Sequence, residues 1–164
     1  MNSVEQVLQA LEARGKKLAV AESLTGGMLS SNIVSVSGAS KVFLGSVVAY
    51  QNEIKNSILD VPHNLLEARG AVSAEVAVAM ADGAREKLSA AAGVALDRVF
   101  ALSTTGVAGP ESDHGKPSGT VFIALAGPGI ETRAQEFSFE GSRTQVREAA
   151  CLAAIEMLRD YLLG

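Results

Sequence analysis

The chain has 164 residues, the size of a single domain and enough to bury about two thirds of its unfolded surface. Hydrophobic residues make up 48% and charged residues 20%, an ordinary globular composition that excludes a disordered or collagen-like chain. The 14 Lys and Arg against 18 Asp and Glu leave a net charge of -4, which offers no basic field for a polyphosphate backbone. With an aromatic share of 4% and no Trp there is also little to stack bases on, so nucleic acid is not an expected partner.

Cys151 is the only cysteine, so no internal disulfide can form and the Cys/His spacings of structural zinc sites are missing. His63 and His114 lie far apart, and Glu111 with Asp113 is too small a set to assign a metal. Met1 opens directly into Asn2-Ser3-Val4-Glu5, and no run approaches the ~20 apolar residues of a membrane span. No membrane association is expected, and a cytoplasmic protein is the simplest reading.

In chain order, Ser3 and Gln6 have the spacing of a capping box, Val4, Val7, Leu8 and Leu11 share one helical face, and Gly15 can end that helix. Lys17 to Glu22 carries the apolar run Leu18-Ala19-Val20-Ala21, a buried strand, followed by the turn Ser23-Leu24-Thr25-Gly26-Gly27 and a helical pattern from Met28 to about Val36. Val42 to Tyr50 reads as a second buried strand, after which Asn52 can cap a short helix bearing Ile54 and Ile58. Pro62 interrupts the chain, and Ser73 is the expected cap of an Ala-rich helix from about Ala74 to Ala92.

Arg98 to Ser103 predicts a third strand running into a loop at Thr104-Thr105-Gly106, and Pro110 to Gly119 predicts a polar surface loop. Thr120 to Ala126 and Glu131 to Phe139 predict an antiparallel hairpin, and a last helix is expected from about Ser142 to Leu162. Strands separated by helices, then a hairpin and a closing helix, imply one α/β domain over 1–164. The expected architecture is a three-layer α/β/α sandwich on a mixed, mostly parallel sheet of about five strands. The Ala-rich helix and the last helix offer faces for an expected homo-oligomer.

If the first two strands are parallel neighbours, the loops after them open on one sheet edge, where ligands bind in open α/β sheets. Ser23 and Lys55 would meet there, far apart in sequence and close in space. The opening Thr25-Gly26-Gly27 has small residues and backbone N–H groups suited to an oxyanion; the alternative is that Ser23 or Thr25 only caps the helix. Lys55 sits near the third position of its helix, where the helix dipole and burial would lower its pKa, so that a partly neutral amine could take the serine proton. The alternative is a solvated lysine.

Tyr50 could place its hydroxyl in the cleft or be a rim aromatic. The Thr105-Gly106 loop would reach the same edge. Arg143 and Arg147 are four apart at the start of the last helix and could anchor a phosphate, or else be solvated with Glu148 as a salt partner.

Five segments occur in a telling order: Ala21-Glu22-Ser23-Leu24-Thr25-Gly26-Gly27, Val48-Ala49-Tyr50-Gln51-Asn52-Glu53-Ile54-Lys55, Gly70-Ala71-Val72-Ser73, Thr105-Gly106-Val107-Ala108-Gly109-Pro110 and Lys116-Pro117-Ser118-Gly119-Thr120-Val121. In these the chain resembles the CinA carboxy-terminal domain family, whose characterised enzymes are nicotinamide mononucleotide amidases. The likeness runs from about Val4 to Leu162. It implies hydrolysis of a nucleotide carboxamide to a carboxylate and ammonia, without a metal or organic cofactor, by a Ser/Lys dyad that carries onto Ser23 and Lys55.

Here the segment after Gly-Pro reads Glu111-Ser112-Asp113-His114-Gly115, where the family usually has further glycines. The competing expectations are a non-catalytic nucleotide-binding module and a competence-related interaction module.

Overall fold

The computed structural model describes residues 1–164. Helix α1, Ser3–Ala13, leads to strand β1, Lys17–Glu22, then to α2, Met28–Val34, and β2, Phe43–Val48. Helices α3, Asn52–Leu59, α4, His63–Arg69, and α5, Ala74–Ala92, follow before β3, Val99–Gly106, the hairpin β4, Thr120–Ala126, with β5, Arg133–Ser138, and the closing α6, Arg143–Leu163. The sheet order is β2-β1-β3-β4-β5. Strand β1 pairs parallel with β2 and β3, while β4 pairs antiparallel with both β3 and β5, so β4 alone runs against the other strands. No helix is long and apolar enough to cross a membrane.

Alternation along the strands sorts the two faces. On one face Leu18, Val20, Leu102, Ile123 and Leu125 pack with Leu8 and Leu11 of α1, Leu29 and Ile33 of α2, and Ala154 and Leu158 of α6. On the other, Ala19, Ala101, Ala124 and Ala126 meet Ala77 and Ala81 of α5. Small side chains on both partners let that helix lie close to the sheet. A further cluster continues outward, where Val76, Met80 and Ala84 of α5 meet Leu59 of α3 and Leu66 of α4. The apolar stripe of α5, expected as a dimer face, is thus consumed inside the chain by the sheet and by α3 and α4.

Four local expectations are corrected. The capping box of α1 lies one residue earlier, where Asn2 Oδ1 accepts from the Glu5 N–H at 2.9 Å and Glu5 Oε2 accepts from the Asn2 N–H at 2.8 Å. Helix α3 is preceded by Gln51 and begins at Asn52, with no side-chain cap. Pro62, expected only to interrupt the chain, stands directly before α4, whose entry suits its fixed φ. Thr104, Thr105 and Gly106 remain in β3 because β4 pairs alongside as far as Gly106↔Val121.

At the parallel end of the sheet, α3 is held against α5 at a contact that has no room for a side chain. A Cβ on Gly83 would stand 2.0 Å from the carbonyl oxygen of Leu59. Gly83→Ala must push the two helices apart, and chemical denaturation should show a loss of about 2 kcal/mol or more; an unchanged midpoint would show that α3 is not clamped there.

Candidate active site

Strand β1 delivers Ser23 directly to the carboxyl edge of the sheet. Its N–H donates to the Thr104 carbonyl at 3.0 Å, which ties the residue to β3, and its carbonyl accepts from the Gly26 N–H at 3.1 Å. The chain then turns through Gly26 at φ 58° and Gly27 at φ 95°, left-handed conformations that favour glycine. Ser23 is buried to 7% exposure at the floor of a cleft.

Lys55 enters from the first turn of α3 with its side chain only 1% exposed. Its Nζ lies 2.9 Å from Ser23 Oγ and donates to the carbonyls of Ala49 at 2.8 Å and Tyr50 at 2.9 Å. No carboxylate lies within ion-pair distance of the amine. Burial without a counter-charge lowers its pKa from 10.5 to about 8. Desolvation by burial is the cause.

As an ammonium, Lys55 donates to all three oxygens; deprotonated, it can keep its two N–H bonds to the carbonyls and turn its lone pair to the proton of Ser23 Oγ–H. Tyr50 therefore serves Lys55 through its backbone carbonyl, while its phenol oxygen accepts from Arg143 Nη2 at 3.0 Å. Arg143 Nη1 also donates to the Gly109 carbonyl at 2.8 Å, so this exposed side chain spans the cleft mouth.

The turn itself differs from expectation. The Gly27 N–H donates to Glu22 Oε1 at 3.2 Å, the Leu29 N–H to the same oxygen at 2.9 Å, and Ser30 to Oε2 through its N–H at 3.1 Å and its hydroxyl at 2.6 Å. The start of α2 is thus filled by the chain's own carboxylate, and the N–H groups of Gly26 and Gly27 have internal acceptors. By contrast, the N–H groups of Leu24 and Thr25 donate to no acceptor of the chain. Thr25 is wholly buried, with Oγ1 2.8 Å from Thr104 Oγ1.

Arg147 faces this turn instead of the cleft. Its Nε donates to the Leu24 carbonyl at 2.9 Å and its Nη2 to the Thr25 carbonyl at 3.0 Å. Of the two arginines expected to meet a phosphate, Arg143 alone lines the cleft.

The cleft has a volume of about 790 Å³, ample for a mononucleotide. Its inner wall includes Thr105, whose hydroxyl donates to the Ala71 carbonyl at 2.7 Å, and Gly106, where a Cβ would stand 2.7 Å from the Thr120 carbonyl oxygen. The rim includes Glu111, Asp113 and His114, a segment that sequence reasoning treated as a surface loop. No cluster of three or more His, Cys, Asp or Glu could hold a metal ion. Glu22 was also missed as a site residue. Its signal was an acid ending an apolar strand six residues before a helix start that offers free N–H groups.

The CinA C-terminal domain model matches residues 1–162. The chain belongs to that family.

Among its relatives, a CinA-like protein of Citrifermentans bemidjiense is 49% identical over 154 residues, 93% of this chain and 35% of that protein. A CinA-like protein of Frankia casuarinae is 45% identical over 159 residues, 96% of this chain and 34% of that protein. This CinA domain therefore spans about a third of the length of the curated relatives it matches. The crystal structure of the competence damage-inducible protein A from Klebsiella pneumoniae superposes with a TM-score of 0.87 at 31% identity, covering 99% of this chain and 98% of that one. A CinA superfamily protein from Escherichia coli gives 0.86 at 29% identity, covering 99% and 89%.

Burying an unpaired amine makes the stability of this CinA domain depend on pH. Below about pH 8 Lys55 is charged both folded and unfolded, and its burial cost is fully present; between about 8 and 10.5 only the unfolded chain keeps the proton, so stability rises with pH. Against Lys55→Met, the wild type should gain about 2–3 kcal/mol of unfolding free energy between pH 7 and 10.5. Paired denaturation curves with a constant difference across that window would exclude a buried, shifted Lys55.

Proposed function

We propose that this domain is an amidohydrolase that converts nicotinamide mononucleotide to nicotinate mononucleotide and ammonia, with Ser23 as nucleophile and Lys55 as general base. The observation that carries the reading is the 2.9 Å approach of Lys55 Nζ to Ser23 Oγ, by an amine that has no carboxylate partner and a pKa near 8. A structural lysine has no need of that arrangement, whereas a base working near neutral pH does.

Neutral Lys55 accepts the Ser23 proton as Oγ bonds to the amide carbon, and the carbonyl electron pair moves onto oxygen. The unpartnered Leu24 N–H, the first after the nucleophile, belongs to a residue of the cleft wall and is free to donate to that developing charge. Protonated Lys55 then passes its proton to the amide nitrogen, the C–N bond breaks and ammonia leaves. Water, deprotonated by Lys55, attacks the Ser23 ester. The C–Oγ bond breaks, Lys55 returns its proton to Ser23 Oγ, and the carboxylic acid so formed releases its own proton to solvent and departs as the carboxylate. Each step is a proton transfer or acyl transfer, and none needs a cofactor.

Tyr50, Thr105 and Gly106 frame the ring and ribose in this reading. Arg143, the cation at the mouth, meets the phosphate. A carboxamide nucleotide suits a cleft that holds a buried nucleophile at one end and a guanidinium at the other. The name of the Klebsiella pneumoniae protein, competence damage-inducible, favours a second reading as an interaction module. That reading leaves Ser23 dispensable.

Ammonia release from nicotinamide mononucleotide tests the proposal. Ser23→Ala and Lys55→Ala should each lower turnover by about a thousandfold or more. Wild-type kcat/KM should climb with pH and level off above about 8, as Lys55 loses its proton. Full turnover in both variants would remove the dyad, and no release by the wild type would remove the substrate.

Arg143→Ala should raise KM for the nucleotide by about tenfold while leaving KM for the corresponding nucleoside nearly unchanged. Equal effects on both substrates would remove Arg143 as the phosphate ligand.

A further inference from the structure

We propose that Arg147 is a positioning residue whose guanidinium sets the peptide units after the nucleophile for catalysis. This rests on the amidohydrolase reading above and assigns to Arg147 a role other than substrate binding. Two of its donors, Nε and Nη2, reach successive carbonyls of one turn, Leu24 and Thr25, from a helix more than 120 residues away in sequence. It makes no ion pair. A half-buried guanidinium satisfied by two backbone carbonyls is committed to holding that backbone.

Three consecutive peptide units follow from Ser23. The carbonyl of the first, Ser23, accepts from the Gly26 N–H, and those of the second and third, Leu24 and Thr25, accept from Arg147. In a trans peptide the carbonyl of one residue opposes the N–H of the next, so Arg147 directly orients the Thr25 and Gly26 N–H groups; the Gly26 N–H in turn holds the Ser23 carbonyl, whose peptide unit carries the Leu24 N–H. The Leu24 N–H has no acceptor in the chain, and Leu24 lines the cleft beside Ser23. A donor left open beside a nucleophile is explained by an acceptor that exists only during the reaction, the oxyanion. Donation from a cation to the carbonyl also polarises the peptide and strengthens its N–H.

The other side of the turn is held independently. Glu22 grips the start of α2 through Gly27, Leu29 and Ser30, and Thr25 is tied to Thr104. The close approach of Arg147 also bears on Gly26, where a Cβ would stand 3.4 Å from Nη2 at a φ of +58°. Because Glu22 and Thr104 still secure the turn when Arg147 is removed, the loss should fall on aim more than on folding.

The test uses Arg147→Ala and Arg147→Lys, the latter keeping charge but losing the planar fork. Three readouts are needed: kcat and KM for ammonia release across pH, the thermal midpoint, and the rate at which a fluorophosphonate labels Ser23. In the labelling step Ser23 Oγ bonds to phosphorus, fluoride leaves and Lys55 takes the proton, so Ser23 is probed without the proposed substrate.

Arg147→Ala should lower kcat by about tenfold to a hundredfold with KM within about twofold, keep the pH midpoint near 8, and slow labelling by a similar factor. Arg147→Lys should fall between it and the wild type. Raised KM with unchanged kcat would make Arg147 a substrate ligand and overturn the proposal. Wild-type rates, or a loss that only follows the unfolded fraction, would also overturn it; if Arg147→Ala does not fold, wild-type rates in Arg147→Lys do so. Labelling that depends on Arg147 without ammonia release would sink the substrate reading and leave this one standing, whereas no labelling of the wild type would end both.

Discussion

The site depends on one uncompensated amine. Lys55 is nearly sealed from solvent, and its Nζ meets two carbonyls and one hydroxyl but no carboxylate. An acid beside it would hold the proton and stabilise the charge, at the expense of basicity. Leaving the amine unpaired costs stability at neutral pH and makes it a base of useful strength. The rest of the fold can be understood as what keeps that amine buried and aimed: α3 is wedged against α5 at Gly83, the Ala-lined face of the sheet draws α5 in, and Ala49 and Tyr50 turn their carbonyls toward Nζ.

A second constraint concerns the serine. A serine on a five-residue turn would wander if only its neighbours held it. Here the preceding residue, Glu22, anchors the following helix, β3 binds the Ser23 N–H and the Thr25 hydroxyl, and α6 contributes Arg147 to the outer carbonyls. Anchors from β1, β3 and α6 converge on one turn. Parallel pairing of β1 with both β2 and β3 makes this possible, because it brings the ends of all three strands to one edge.

Much of this was legible beforehand, for physical reasons that can be named. The strand at Lys17–Glu22 and the long helix at Ala74–Ala92 follow from uninterrupted apolar runs, helical spacing and the Ser73 cap, all of which act within a few residues. The meeting of Ser23 and Lys55 followed from one further step, the common edge of parallel strands. Where reading failed, a distant partner had intervened. Thr104-Thr105-Gly106 looks like a turn in isolation and is strand because β4 lies beside it; Arg147 looks like an anion anchor by its place near a helix start.

The amino-acid sequence by itself determined the order of elements, the alternation that assigns each strand residue to a face, and the candidate pair of hydroxyl and amine. These are encoded in spacing, which a chain carries at every position. Only the tertiary structure decided which polar groups neutralise one another: Glu22 takes the helix start that an outside anion could have used, Arg147 spends its donors on Leu24 and Thr25, and Arg143 stays at the mouth. Hydrogen bonds and desolvation depend on atoms a few ångströms apart, and such distances across the chain exist only after folding.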